Sequence, residues 1–281
     1  MHSEFSDSTL ILVGHGSTLN ADSARPTWQH ADELRRRQVF GQVIETFWKL
    51  EPGFAAALRA VHLNRVFIVP LFISEGYFTE EVIPRELGFD PAAGTGFPRT
   101  RTEGDRVFHY CGPVGTHESM TEVLMARADE VVAQHPFPHA PAKSRRSLFI
   151  AGHGTGNNDN SRRAIEQQVE LIRETGCYAD VHAVFMEEEP RIESCWELAA
   201  TRNLVMVPFF ISDGLHSYED IPMMLGEPER VVRQRLAENA PTWRNPTERN
   251  GRRLWYSRSI GNEPHIADVI VQRAAEAAAA G

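Results

Sequence analysis

The sequence predicts an α/β protein of two tandem domains, each with a parallel β-sheet covered by helices, produced by internal duplication. Three observations predict it. First, landmarks recur 138 residues apart: His15 and His153, Glu51-Pro52 and Glu189-Pro190, Pro70 and Pro208, Gly76 and Gly214, Pro84 and Pro222. Second, continuous apolar runs alternate with amphipathic stretches in each half, which is the pattern of βαβ units buried on both faces. Third, 281 residues suffice for two domains of ordinary size. The clearest repeat is "FISEGYFTEEVIP" (72–84) against "FISDGLHSYEDIP" (210–222), and about half the positions from Val66 to Gly88 match their counterparts.

Each half follows the same order of elements. A short apolar strand ("TLILV", "SLFIA") runs into Gly-His-Gly and a polar loop. An amphipathic helix follows, and in the second half this is "SRRAIEQQVELIRETG", with Gly176 as its stop. A second strand ("QVIETFW", "DVHAVFM") leads through Glu-Pro into a second helix ("FAAALRAV", "RIESCWELAA"). The third strand is "RVFIVPLFIS" or "NLVMVPFFIS", the fourth "RVFHYCG" or "RLWYSRSI". A last helix ("SMTEVLMARADEVVAQ", "IADVIVQRAAEAAAA") closes each copy. The proline-rich basic stretch 134–147 reads as the linker, so the expected domains are 1–138 and 139–281.

Composition narrows the function. The net charge of −9 argues against a nucleic-acid binder, which needs a basic footprint. No apolar stretch approaches the roughly 20 residues of a membrane helix, and the first apolar run is a buried strand rather than a signal peptide. Cys111, Cys177 and Cys195 are too scattered for a metal or redox motif and are expected to be reduced thiols of a cytoplasmic protein.

Ligands of a parallel α/β sheet sit beyond the carboxyl ends of the strands. Three loops of the second half leave strand ends there, carrying His153, Glu187 in "FMEEEP" and His216 in "SDGLH". Two imidazoles and a carboxylate suit a divalent first-row metal or proton transfer. The first half keeps His15, but Lys49 stands for Glu187, Phe78 for His216 and Val82 for Asp220. A cation and a phenyl ring cannot bind a metal, so the second half is the candidate active half. His15, left without partners, is expected to make a structural hydrogen bond.

The phrases "VGHGS", "AGHGT", "FMEEEP" and above all "VPFFISDGLHSYEDIP" resemble the CbiX/SirB-type class II chelatases, relatives in fold of the CbiK-type cobaltochelatases and ferrochelatase. The resemblance covers nearly the whole chain, once per half, and implies two flavodoxin-like, chelatase-like domains. It implies an enzyme, a lyase that inserts Co²⁺ or Fe²⁺ (Ni²⁺ is a further option) into sirohydrochlorin on the route to cobalamin or siroheme. Neither ATP nor a nucleotide cofactor takes part. By position it assigns metal binding and proton removal to His153 and His216, with Glu187 as the acidic partner; Glu188 and Glu189 are close rivals. Many long members carry the histidine pair in the N-terminal half, whereas here only the C-terminal half is complete. A flat macrocycle edged with carboxylates calls for apolar walls and donors. Phe209, Phe210, Leu215 and Met186 are the candidate walls. Arg162, Arg163 and the loop "GTGNNDNS" are the candidate donors at a helix N-terminus. The duplication stands in for a homodimer and suggests a monomer with two pseudo-symmetric halves. A non-catalytic tetrapyrrole or metal carrier of the same fold is the alternative. A nucleotide binder is disfavoured because neither GxGxxG nor a Walker loop occurs.

Overall fold

The computed structural model describes residues 4–18, 20–89, 96–154 and 159–280. The first sheet contains β1 (Phe5–Gly14), β2 (Phe40–Phe47), β3 (Arg65–Pro70), β4 (Thr100–Glu103) and β5 (Arg106–Tyr110), in the order β2-β1-β3-β5-β4. The second contains β6 (Ser147–Gly152), β7 (Asp180–Phe185), β8 (Asn203–Pro208), β9 (Thr247–Arg249) and β10 (Arg252–Tyr256), in the matching order β7-β6-β8-β10-β9. The central strands are apolar on both faces because both are covered. Leu10 to Val13 on β1 and Leu148 to Ala151 on β6 have no exposed surface.

The four strands expected in each half are present and parallel to one another. Each sheet also has a fifth, antiparallel edge strand that the sequence reading missed. In the second sheet its turn is Asn250-Gly251, both at positive φ (52° and 73°). Asn-Gly at such a turn is the strongest short-range hairpin signal, so this strand was legible in principle. It is only three residues long, too short for an alternating pattern to show.

The helix expected before Gly176 runs from Asn160 to Glu174, and Gly176 takes φ of +63° just beyond it. The stretch "RIESCWELAA" does not form a full helix: Ile192–Ser194 is 3₁₀ and Cys195–Leu198 a single α-turn. Its apolar residues still serve the core, with Ile192 and Cys195 fully buried.

The chain divides into two compact units that do not follow the repeat boundary at 138. One comprises residues 1–120 and 264–281, the other 121–263. The last helix of each copy thus belongs to the unit of the other copy. Within the first unit, Arg273 of the helix Ile266–Ala280 donates to the Pro113 carbonyl from Nε (3.1 Å) and Nη2 (2.8 Å). Within the second, Thr121 of the helix Met120–Gln134 donates to Gln168 (2.9 Å), and Arg127 donates to Asn262 (2.5 Å). The stretch read as a linker is anchored to the second unit: Trp255 donates its indole N–H to the His135 carbonyl (2.8 Å), and Arg146 pairs with Asp129 (2.7 Å).

Candidate functional site

The site of the second unit begins with Gly152-His153-Gly154. Gly152 is the last residue of β6, level with Phe185 on β7. A Cβ there would come within 2.0 Å of Ile165 Cδ1 on the following helix, so a larger residue would force the Ile165 side chain to shift. Gly154 has φ of +67°, a backbone conformation that glycine adopts at little cost. The two glycines turn the chain out of the sheet at His153. The turn brings the Gly154 carbonyl to 3.0 Å from His153 Nδ1. A carbonyl only accepts, so the proton sits on Nδ1 and Nε2 presents its lone pair.

The second loop is stitched to the first. The Met186 N–H reaches the Gly152 and His153 carbonyls (3.0 and 3.1 Å), and the Glu187 N–H reaches the His153 carbonyl (3.0 Å). This places Glu187 Oε2 3.7 Å from His153 Nδ1. The neighbouring glutamates turn elsewhere: Glu188 pairs with Arg162 (3.0 Å), and the Glu189 carboxylate accepts the Arg191 N–H (3.1 Å). Of the three acids, Glu187 is the one beside the histidine.

The third loop ends in a turn of π-helix, His216–Asp220. Its first residue meets His153 ring to ring: centroids 4.9 Å apart, planes at 81°. Phe210 stands 6.3 Å from the His216 ring. The turn is pinned from below, where the buried Asp213 carboxylate accepts the Ser259 N–H (2.9 Å) and Tyr256 donates its hydroxyl to the Ser217 carbonyl (2.8 Å). Burial, the nearby Asp213 carboxylate and Tyr218 hold the Tyr256 hydroxyl well above its ordinary range, so it stays a donor.

His153, Glu187, His216 and Phe210 therefore gather at the strand ends, and the exposed Leu215 lies beside His216. The other expected walls do not face this space. Phe209 is fully buried, and Met186 packs in the core with Trp196 and Tyr256. Arg162 lies over the Phe185 ring and is engaged by Glu166, Glu188 and the Glu189 carbonyl. Arg163 is exposed, 3.8 Å from Asp159. Of the Asn-rich loop, residues 155–158 lie outside the described residues. Among the described residues, no group of three or more His, Cys, Asp or Glu side chains is arranged to hold a metal ion, so His153, Glu187 and His216 do not form a three-ligand set as they stand. In the sequence Asp220 stands out only as a difference from Val82. In the structure its Oδ2 is 2.7 Å from His216 Nδ1. The four-residue spacing on one turn was the available signal.

Two stretches, residues 9–131 and 147–277, each match the CbiX family profile. The chain belongs to the CbiX family. A relative from Halobacterium salinarum named "Probable sirohydrochlorin cobaltochelatase" is 44% identical over 96% of this chain and 91% of its own length. A shorter relative from Methanopyrus kandleri, named "Sirohydrochlorin cobaltochelatase", is 30% identical over 47% of this chain and 96% of its own. Among solved structures, a multi-domain protein of Deinococcus radiodurans described as structurally similar to chelatases aligns with a TM-score of 0.75 at 29% identity. It covers 95% of this chain, and the chain spans about half (54%) of that protein. SirB of Bacillus subtilis with Fe³⁺ aligns with a TM-score of 0.67 at 18% identity, over 97% and 96% of the two chains, a likeness of fold.

In the first unit of this CbiX-family chain the same loops carry different side chains. His15 keeps the same turn, its Nδ1 2.7 Å from the Gly16 carbonyl, as expected of a structural hydrogen bond. Around it stand Trp48, Phe72 and Phe78, with ring centroids 5.5, 6.5 and 5.5 Å away. The Lys49 ammonium lies 4.4 Å from the Trp48 ring. Where the second unit has two imidazoles and carboxylates, the first has rings and a cation.

Proposed function

We propose that this chain is a sirohydrochlorin metal chelatase, a lyase that places Co²⁺ or Fe²⁺ in the tetrapyrrole without ATP, and that the second unit holds the reacting site. The observation that carries the proposal is the edge-to-face pair of His153 and His216 beside Glu187, on a chain 44% identical to a named cobaltochelatase. That relative and the shorter one favour cobalt over iron.

Metalation must bring a partly dehydrated cation to the ring and remove two pyrrole protons. Neutral imidazole Nε2 serves either as ligand to a first-row cation or as proton acceptor near neutral pH. The metal is substrate and has to leave, so few protein ligands are an advantage over a closed four-ligand cage. Glu187 adds a negative charge that draws the cation to the mouth, and Phe210 and Leu215 offer apolar surface to the macrocycle. The duplication supports action as a monomer.

The test is anaerobic absorption spectroscopy of sirohydrochlorin with Co²⁺ and, separately, Fe²⁺. The chain should convert the free-base spectrum to the metallated one faster than the metal alone, and the His216→Phe variant should not. If neither protein exceeds the metal alone, the chelatase reading fails and a tetrapyrrole or metal carrier takes its place.

A further inference from the structure

We propose that Asp220 is a positioning residue: it holds His216 as the Nδ1–H tautomer and so aims the Nε2 lone pair at the metal. The proposal rests on the reading of His216 as a metal ligand. Asp220 Oδ2 lies 2.7 Å from His216 Nδ1. An ionised carboxylate can only accept, so the imidazole proton belongs on Nδ1. Among the described residues the Asp220 carboxylate makes no other hydrogen bond and serves the ring alone.

The two histidines reach the same tautomer by different means. For His153 the acceptor is the carbonyl of the next residue, supplied by the Gly-His-Gly turn itself. The same bond forms at His15, where aromatic rings stand in place of the second imidazole and the carboxylates, so it is a property of the turn. Among the described residues no carbonyl stands at His216 Nδ1. His216 opens a π-turn, half exposed, and among the described residues the group that reaches its Nδ1 is the side chain four residues later, Asp220. Without an acceptor there, the proton distributes between the two nitrogens and the ring loses its fixed aim.

The first unit supplies an internal control. The equivalent π-turn, Phe78–Val82, closes with the same backbone bond, from the N–H after the turn to the carbonyl at its start. It does so with phenylalanine and valine in place of the pair. The turn thus folds without the hydrogen bond, and both members of the pair are absent together in the unit that also has Lys49 in the place of Glu187. A bond needed for folding would have no reason to be missing there.

The experiment compares wild type, Asp220→Ala and Asp220→Asn in metal-free, ¹⁵N-labelled protein. Imidazole ¹⁵N spectra recorded across a pH series report the tautomer of the neutral His216 ring. Co²⁺ alone, titrated into the same samples, reports affinity. Wild type should show Nδ1 protonated and Nε2 free. Asp220→Ala should lose that preference and bind Co²⁺ about 10- to 100-fold more weakly, the usual effect of removing a ligand's hydrogen-bond partner. Asp220→Asn, whose amide oxygen still accepts, should keep the tautomer and recover most of the affinity. An unchanged tautomer in Asp220→Ala, or Ala and Asn variants that behave alike, would overturn the assignment. Neither readout involves sirohydrochlorin. A wild type that fails to metallate the tetrapyrrole but shows this pattern would sink the chelatase reading and leave Asp220's role standing.

Discussion

The imidazole of His216 meets that of His153 edge to face, 4.9 Å between centroids, although 62 residues of chain and two strands separate them. Each ring has its Nδ1 occupied, by Asp220 in one case and by the Gly154 carbonyl in the other, so each offers Nε2. In the first unit the equivalent of His216 is Phe78, its ring 5.5 Å from His15.

His216→Phe should therefore abolish metalation while leaving the fold intact, because the first unit shows this turn folding with phenylalanine. Loss of a group that binds metal or moves a proton should cost at least about 100-fold in turnover. Phe78→His should gain nothing measurable, since Lys49 and Val82 remain around it. The check is initial metalation rate beside circular dichroism. Full activity in His216→Phe would put the reacting site elsewhere.

Gly152→Ala should destabilise the second unit by about 1–3 kcal/mol, the ordinary cost of forcing a methyl group into a packed core. The new Cβ would have to displace Ile165 Cδ1, 2.0 Å away. Because Gly152 leads directly into His153, activity should fall with stability. Thermal melting and metalation rate measured on one sample decide it; a variant that melts like the wild type would refute the tight strand–helix contact.

Mild acid should destabilise the protein. Burial, with Arg65 nearby, pushes His109 below its ordinary value of 6.5, and its ring is stacked on Phe67 at 5.1 Å. His117 is shifted the same way by burial and by Arg273. Below 6.5 the unfolded chain takes up protons that the folded chain resists, so this contribution is complete above that pH and is lost as pH falls below it. The melting temperature should drop between about pH 7 and pH 5, and His109→Phe should flatten part of the slope. A variant with an unchanged slope would show that His109 does not contribute.

Thiol reagents should separate the three cysteines. Burial pushes the thiols of Cys111 and Cys195 up to about 12, leaving almost no thiolate to react, whereas Cys177 is exposed. Titration with a chromogenic disulfide should find one fast thiol in the native protein and three after denaturation. Cys177→Ser should remove the fast one. A second fast thiol in the native state would contradict the buried placement of Cys111 or Cys195.

The sequence by itself determined the duplication, the strand and helix grammar of each half and the Gly-His-Gly turns. These are local or repeated signals: a strand pattern, a positive-φ glycine and a fixed offset do not depend on distant contacts. Tertiary structure decided the rest. Phe209 and Phe210 are adjacent and equally apolar, but consecutive side chains beyond a strand point to opposite sides, and only the packed sheet sends Phe209 inward and Phe210 to the site. Glu187, Glu188 and Glu189 read alike until the loop's hydrogen bonds give each a different partner. The helices Met120–Gln134 and Ile266–Ala280 announce by their pattern that they pack, but an apolar face does not say on which sheet, and here each lies in the unit of the other copy.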